Sequence, residues 1–162
     1  MAVTSNFKNP NIANFLKRNH IAVLATANKE TAQPHATAIY YATDSQMNLF
    51  FVTKEKTTKN KNLIQNPKAA VAIYEAETQT TIQITGPVSR IEDQTMLEKS
   101  LLIMSKYSKQ TAQTEETPLS KLDAGEYILY KLWPQTIRMG EYKYGPRNQI
   151  FDTATPAEES LE

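Results

Sequence analysis

The sequence predicts a mainly β protein, a barrel of six to seven antiparallel strands with short helices. Two observations lead to this prediction. Strand-like segments follow one another along the chain instead of alternating with long helices, which disfavours a parallel α/β sheet. One such segment, Thr80–Ile91, is long and is interrupted by Gly86-Pro87, a pair typical of a bulge or bend at a barrel corner.

The N-terminal elements are a helix and three strands. Asn9 can cap a helix whose first position is Pro10, and apolar residues then recur on one helical face. The short apolar run Ile21–Ala27 is typical of a buried strand. Pro34–Ala42 alternates between two faces, and Met47–Thr53 is aromatic and β-branched. Because only a short polar segment separates these last two, we expect an antiparallel hairpin.

The middle of the chain adds two helices around a further strand. Thr57 or Thr58 can cap a short helix that ends before Pro67. Ala69–Tyr74 is strand-like, and Asp93 can cap a longer helix after the Thr80 strand.

The C-terminal part predicts a last pair of strands, Glu126–Trp133 and Thr136–Met139. Residues 108–122 are polar and predict a loop or mobile segment. We expect one domain over residues 1–152, followed by an acidic, disordered tail over residues 153–162.

Composition excludes several classes of function. The 162 residues suit one domain, and Lys+Arg 18 against Asp+Glu 17 gives no basic field for nucleic acid. The chain has no cysteine, which excludes disulfides, thiolate nucleophiles and cysteine-ligated metals. The four glycines build neither a dinucleotide-binding nor a P-loop motif. With no apolar run of about 20 residues and no signal peptide, we expect a cytoplasmic protein without a membrane segment.

Catalytic side chains are few. The two histidines, His20 and His35, lie in different elements, so a three-histidine zinc site is impossible and no metal site is expected. His35 is better interpreted as an ordinary strand residue than as a catalytic one. No GxSxG motif supports acyl transfer, and the acidic residues are scattered.

The lysine-rich stretch from Thr53 to Pro67 is the most concentrated feature. If Thr58 opens a helix, its amide and hydroxyl converge with the Lys59 ammonium at a helix N-terminus, where a phosphate binds well. The ligand would be a cofactor phosphate or an RNA backbone, and a merely solvated loop is the alternative. RNA is disfavoured because the aromatic residues that would stack on bases lie within strands.

The order of segments adds information. The chain contains, in order, HIAVLATAN, QPHATAIYYAT, LFFVTKEKTTKNKNLIQNPKAAVAI and TIQITGPVSRI. This succession resembles the pyridoxamine 5'-phosphate oxidase-like family of FMN-binding split barrels, over residues 12–92 and more loosely over 125–151. The resemblance implies an FMN held between the two subunits of a homodimer. Aromatic strands that would otherwise expose apolar surface are consistent with such a dimer.

The resemblance also assigns cofactor contacts. Thr53, Thr58 and Lys59 match residues that contact the flavin phosphate, and the strand around Ala36–Tyr40 matches the one along the isoalloxazine. Thr81 or Gln83 matches a hydrogen-bonding partner of the flavin, while Trp133 and residues 138–147 match segments that approach the partner's flavin. The full set of expected cofactor residues is Ala36, Thr37, Ala38, Ile39, Tyr40, Val52, Thr53, Lys54, Thr58, Lys59, Thr81, Gln83 and Trp133.

Two readings of the alanines on this strand stay open. Ala36 and Ala38 let a flat heterocycle approach, with Tyr40 beside it, or they simply suit a tightly curved barrel.

The sequence departs from the true oxidase at two places. Residues 34–42 contain no arginine or lysine, and the chain after Trp133 has no histidine. Oxidation of pyridoxamine phosphate is therefore not expected, and haem binding through a C-terminal histidine is disfavoured. The leading hypothesis is an FMN-dependent oxidoreductase acting on an unassigned small molecule, with NAD(P)H or another reductant. Tyr40 and His35 are its candidate proton donors. The alternative is a non-catalytic flavin-binding or stress-response module of the same fold.

Overall fold

The computed structural model describes residues 9–111, 127–143 and 150–154. Its helices and strands are α1 (Pro10–Arg18), β1 (Ile21–Ala27), β2 (Pro34–Thr43), β3 (Leu49–Lys54), α2 (Thr58–Gln65), β4 (Lys68–Glu75), β5 (Thr80–Ile91), α3 (Gln94–Thr111), β6 (Tyr127–Leu132), β7 (Thr136–Glu141) and β8 (Ile150–Ala154).

Six strands close an antiparallel barrel in the order β4-β1-β2-β3-β6-β5, and the β4–β5 pairing completes the ring. β7 pairs with β5 outside this ring, and β8 pairs with β7. This architecture confirms the predicted split-barrel fold. β8 was not among the expected strands, and it runs to Ala154. The rest of the expected tail lies outside the described residues.

The bend in β5 lies at Gly86, as the sequence predicts. One edge of β5 pairs with β7 as far as Thr85 and with β6 from Val88 onward. The carbonyl oxygen of Trp133 approaches so closely that a Cβ on Gly86 would lie 1.9 Å from it. Glycine is therefore required for the close approach of two backbones at this corner.

The β2–β3 hairpin begins its second strand later than expected. Met47 has a φ of 61°, in the left-handed region, so it belongs to the turn and β3 starts at Leu49. The Asp44 carboxylate closes this turn by accepting hydrogen bonds from the N–H groups of Gln46 at 2.9 Å and Asn48 at 3.0 Å.

A gap between β2 and β3 positions the candidate site. β2 pairs with β1 along residues 34–40, whereas it pairs with β3 only from Tyr41 to Thr43. Over residues 34–40 the edge of β2 that faces β3 therefore has no strand partner in the described part of the chain. We call this opening the split. Helix α2 contacts both β2 and β3 there.

The other two helices cover the barrel. Asn9 caps α1, with its Oδ1 accepting from the N–H groups of Asn11 and Ile12, and three apolar α1 side chains enter the main core. Asp93 caps α3, which buries Leu97 and Met104 in a second cluster on the outside of β2, β3 and β6. α3 extends to Thr111, so the first part of the expected loop over residues 108–122 is helical. Residues 112–122 of that loop lie outside the described residues.

Candidate functional site

A network of hydroxyl groups shapes the loop between β3 and α2. Thr57 is the N-cap of α2, since its Oγ1 accepts the N–H of Asn60 at 3.3 Å. The same hydroxyl donates to the carbonyl of Lys54 at 2.9 Å and lies 2.7 Å from Oγ1 of Thr53. Thr53 is only 3% exposed. Its hydroxyl therefore holds the cap in place, and its expected contact with a phosphate stays a prediction.

Two asparagines, which the sequence analysis did not single out, anchor α2 to the barrel. The Tyr130 hydroxyl donates to Oδ1 of Asn60 at 2.7 Å, and the amide of Asn60 donates to the carbonyl of Glu55 at 2.8 Å. The amide of Asn62 donates to Oγ1 of Thr26 at 3.1 Å. Both asparagines are buried. Because each buried polar group is paired, α2 holds one position at the split.

The beginning of α2 presents cationic and donor groups. Thr58 is its exposed first residue, and Lys59 in the first turn is half-buried. Burial lowers the pKa of the Lys59 ammonium. Lys59 forms no ion pair with any residue of the described ranges. A partly desolvated cation beside free helical N–H groups suits an anionic ligand.

The strand along the split alternates as expected. Ala36 and Ala38 are exposed on the outer face of β2, whereas Ile39 is buried in the barrel and Thr37 lies on the same inner face. The Tyr40 side chain packs on the α3 cluster, and so does Val52 of β3. The small outward side chains and the unpaired backbone edge therefore lie on the same segment of β2.

Within one chain, Gln83 lies far from this segment. Strand register places Ala38, Val23, Ala72 and Gln83 side by side across β2, β1, β4 and β5. Three strand spacings separate the first from the last, or about 14 Å. Thr81 lies on the same outer face, two residues further along β5.

Trp133 is distant from the start of α2 as well. Ile128, five residues before Trp133, pairs with Thr53, which places Trp133 about 17 Å along the barrel from that pair. The Trp133 ring instead packs against Lys131, whose Nζ lies 5.0 Å from the ring centroid. The expected cofactor residues thus form three groups on one chain, at the split, on β5 and at Trp133.

The two histidines have different surroundings. Nδ1 of His35 is buried and has no hydrogen-bond partner among the described residues. The His20 ring stacks on Tyr107 of α3 with ring centroids 3.0 Å apart, and burial lowers the pKa of His20. Within the described ranges, no three acidic or histidine side chains are grouped to hold a metal ion.

The outer face of β1 and β4 carries large exposed apolar side chains. Ile21 is 48% exposed, Val23 45% and Tyr74 63%. Since register brings them onto one face, they form a single apolar patch that we call the β1–β4 patch.

Comparison with known proteins identifies the family. The model of the pyridoxamine 5'-phosphate oxidase family matches residues 9–132. This chain belongs to that family. No curated protein matches the chain.

Solved structures share the fold of this family member at low sequence identity. A conserved hypothetical protein from Mycobacterium tuberculosis has a TM-score of 0.67 and 19% identity, covering 86% of this chain and 88% of its own. A pyridoxamine 5'-phosphate oxidase-related, FMN-binding protein from Nostoc punctiforme has a TM-score of 0.63 and 17% identity, with coverages of 91% and 97%. General Stress Protein 26 from Bacillus anthracis has a TM-score of 0.57 and 21% identity, with coverages of 78% and 88%.

None of the helices in the described part of the chain combines the length and the apolar character needed to cross a bilayer.

Proposed function

We propose that this protein binds FMN in the split between β2 and β3 and acts as an oxidoreductase on a small molecule. The observation that carries the proposal is the arrangement at the split. The unpaired edge of β2, with its small outward side chains, lies beside the start of α2 and its half-buried Lys59.

The phosphate of FMN would bind at the start of α2. Lys59 supplies a cation that no described carboxylate neutralises, and Thr58 supplies a hydroxyl and an exposed helix start. Asn60 and Asn62 hold the helix against the barrel, so these donors are positioned before the ligand arrives. Such preorganisation reduces the free energy lost in ordering the site.

The isoalloxazine would lie along residues 36–40 of β2. Backbone N–H and C=O groups on the unpaired edge supply hydrogen bonds, and Ala36 and Ala38 leave room for a flat ring. Bound FMN would supply the hydride or electron transfer itself, and the chain would supply binding, orientation and electrostatics.

Tyr40 and His35 remain the candidate proton donors. Tyr40 lies on the outer face of β2 with Ala36 and Ala38, and packs on the α3 cluster. His35 lies on the inner face with Thr37 and Ile39, and its Nδ1 has no hydrogen-bond partner among the described residues.

A homodimer is part of the proposal. The exposed β1–β4 patch gives a second copy an apolar surface to cover. Thr81, Gln83 and Trp133 lie too far from the split to reach a flavin bound there by the same chain, so a second copy would have to bring them to it. A monomer at micromolar concentration in light scattering would contradict both the dimer and the shared site.

The substrate differs from that of the true oxidase. Residues 34–42 of β2 offer no arginine or lysine for a second phosphate, so we expect no oxidation of pyridoxamine phosphate. The reductant is expected to be NAD(P)H or a similar donor, which favours a cytoplasmic location.

The alternative is a non-catalytic flavin-binding or stress-response module. The likeness in fold to General Stress Protein 26 favours keeping this alternative. Reduction of bound flavin distinguishes the two, since a binding module would hold FMN yet accept electrons slowly from every donor tested.

The test is a visible absorption spectrum of the purified protein, recorded before and after incubation with FMN and desalting. Two retained flavin bands are expected, followed by bleaching when NADH or NADPH is added without oxygen. A protein that retains no flavin would contradict the proposal, and a Soret band would indicate haem instead.

A further inference from the structure

The outward face of α3 carries three large apolar side chains and two lysines. Met96 is 37% exposed, Leu102 71% and Ile103 40%, and the two lysines are exposed as well. Because successive residues of a helix are turned by about 100°, the five positions fall within about 120° of one face. Exposed apolar side chains grouped in this way mark interaction surfaces. We call this face the α3 stripe, formed by Met96, Lys99, Leu102, Ile103 and Lys106.

The α3 stripe lies across the barrel from the β1–β4 patch. α3 packs on the outside of β2, β3 and β6. In the ring order β4-β1-β2-β3-β6-β5, β3 is opposite β4 and β6 is opposite β1. A homodimer that covers the β1–β4 patch therefore leaves the α3 stripe available to a different partner.

The helix that carries the stripe is fixed to the barrel. Asp93 caps its first turn, and Leu97 and Met104 are buried in the second apolar cluster. Further along, Tyr107 stacks on the His20 ring. The stripe is thus presented by a preformed helix, so a partner does not have to order it on binding.

The spacing within the stripe matches that of a helix that pairs with another helix. Met96, Lys99, Ile103 and Lys106 follow one another at intervals of three, four and three residues, as the a and d positions of a coiled coil do. The a positions are apolar, and both d positions are lysine. Leu102 borders this seam. The two lysines are seven residues apart, or about 10 Å along the helix, so a second helix with carboxylates seven residues apart meets both.

The charges of the stripe select an acidic partner. Neither Lys99 nor Lys106 forms an ion pair with a described residue. Glu98, the acidic residue of α3, lies at the edge of the stripe, where it accepts a hydrogen bond from Gln94 at 3.0 Å. A second copy of α3 would place lysines against lysines or against apolar side chains. A bilayer is disfavoured because the lysines lie in the middle of the stripe, between the apolar side chains.

We propose that the α3 stripe is a docking surface for an acidic amphipathic helix of a partner protein. The apolar side chains of that helix pack on Met96, Leu102 and Ile103, and its carboxylates pair with Lys99 and Lys106. Only about three turns of α3 take part, so the interface is small and the complex is of the weak, transient class. Opposite charges then speed the encounter and exclude basic partners.

The probe is a synthetic three-heptad peptide with leucine at each a position, glutamate at each d position and alanine or glutamine elsewhere. Its control carries lysine in place of each glutamate. Both are titrated into ¹⁵N-labelled full-length protein without FMN, and amide shifts are followed. The glutamate peptide is expected to shift amides of residues 96–106 and to bind at least about tenfold more tightly than the lysine peptide. Raising the salt concentration from about 0.05 to 0.5 M is expected to weaken it at least about threefold.

Reversing the charge of both lysines tests the pairing. Lys99→Glu combined with Lys106→Glu is expected to lose at least about tenfold in affinity for the glutamate peptide and to gain affinity for the lysine peptide. Leu102→Ser removes apolar contact area and is expected to weaken the glutamate peptide at least about threefold. The control Lys61→Glu changes an exposed lysine of α2 and is expected to leave both affinities unchanged. All of these side chains are exposed, and thermal melting followed by circular dichroism checks that each variant folds.

Equal affinity for the two peptides, absence of binding, or shifts confined to other surfaces would overturn the proposal. So would α3 amide shifts that depend on protein concentration without peptide, because a second copy would then occupy the stripe. Shifts of the same amides on replacing residues 112–122 by a glycine–serine linker would also overturn it, because the chain itself would then cover the stripe. The test involves no flavin, so failure to retain FMN refutes the proposed function alone.

Discussion

Removing one buried hydroxyl tests whether α2 is locked to the barrel. In Tyr130→Phe the ring remains, including its stack on Phe51 with centroids 5.6 Å apart, so packing is preserved. What is lost is the hydrogen bond of 2.7 Å to Oδ1 of Asn60. Tyr130 is 4% exposed and Asn60 1%, so water cannot readily replace the missing donor.

The expected cost follows from that burial. A buried acceptor left without its donor costs about 1–3 kcal/mol. We therefore expect the free energy of unfolding to fall by about that amount, and Tm by about 2–12 °C. Urea denaturation followed by tryptophan fluorescence and circular dichroism measures it.

The matched control is Tyr74→Phe. Tyr74 is 63% exposed, so loss of its hydroxyl is expected to change stability by less than about 0.5 kcal/mol. If Tyr130→Phe were as stable as this control, the Tyr130–Asn60 bond would not hold α2, and the account of a preorganised helix start would be refuted.

Three more perturbations test the site, the corner and the surface network. In a fluorescence titration, Lys59→Ala is expected to bind FMN more weakly than the wild type by about 1.5–3 kcal/mol. The control variant Lys61→Ala is expected to bind FMN as the wild type does. Equal losses of affinity in both variants would argue against a specific phosphate contact. Gly86→Ala forces its Cβ onto a backbone carbonyl, so we expect a loss of more than about 2 kcal/mol in urea denaturation, and a wild-type midpoint would contradict the close approach. Glu75 accepts two hydrogen bonds from Arg18, at 2.8 and 2.9 Å. These bonds are the main reason why the pKa of the Glu75 carboxyl falls from 4.5 to about 2. The charged carboxylate stabilises the fold above pH 4.5 and loses that contribution as the pH falls through about 2, so urea midpoints of wild type and Glu75→Gln should converge over this window. Parallel midpoints at all pH values would exclude this linkage.

Local patterns predicted much of the fold. The bounds of Ile21–Ala27 and Thr80–Ile91 are those of β1 and β5, because apolar runs ended by turn residues mark buried strands. The bend at Gly86 was predictable from Gly-Pro within a strand. β8 was not, since its five residues owe their strand conformation to pairing with β7 and adjoin an acidic segment.

The candidate site was predictable only in part. A threonine followed by lysines at a helix start signals an anion site locally, and α2 does begin at Thr58. Asn60 and Asn62 were missed because asparagines in a polar stretch look solvated. On α2 the two asparagines lie on either side of Leu63, and all three are buried, so the polar composition of the stretch conceals a buried part of the helix.

The sequence by itself determined the class of fold, the order of its elements, the cap and cation of α2 and the family. These depend on neighbouring residues and on an ordered succession of segments, which the chain carries without folding. The tertiary structure decided which residues lie close together in space. Strand register leaves one edge of β2 unpaired over residues 34–40 and separates Gln83 from Ala38 by three strand spacings. Register and barrel closure join residues far apart in the chain, so no local pattern specifies them.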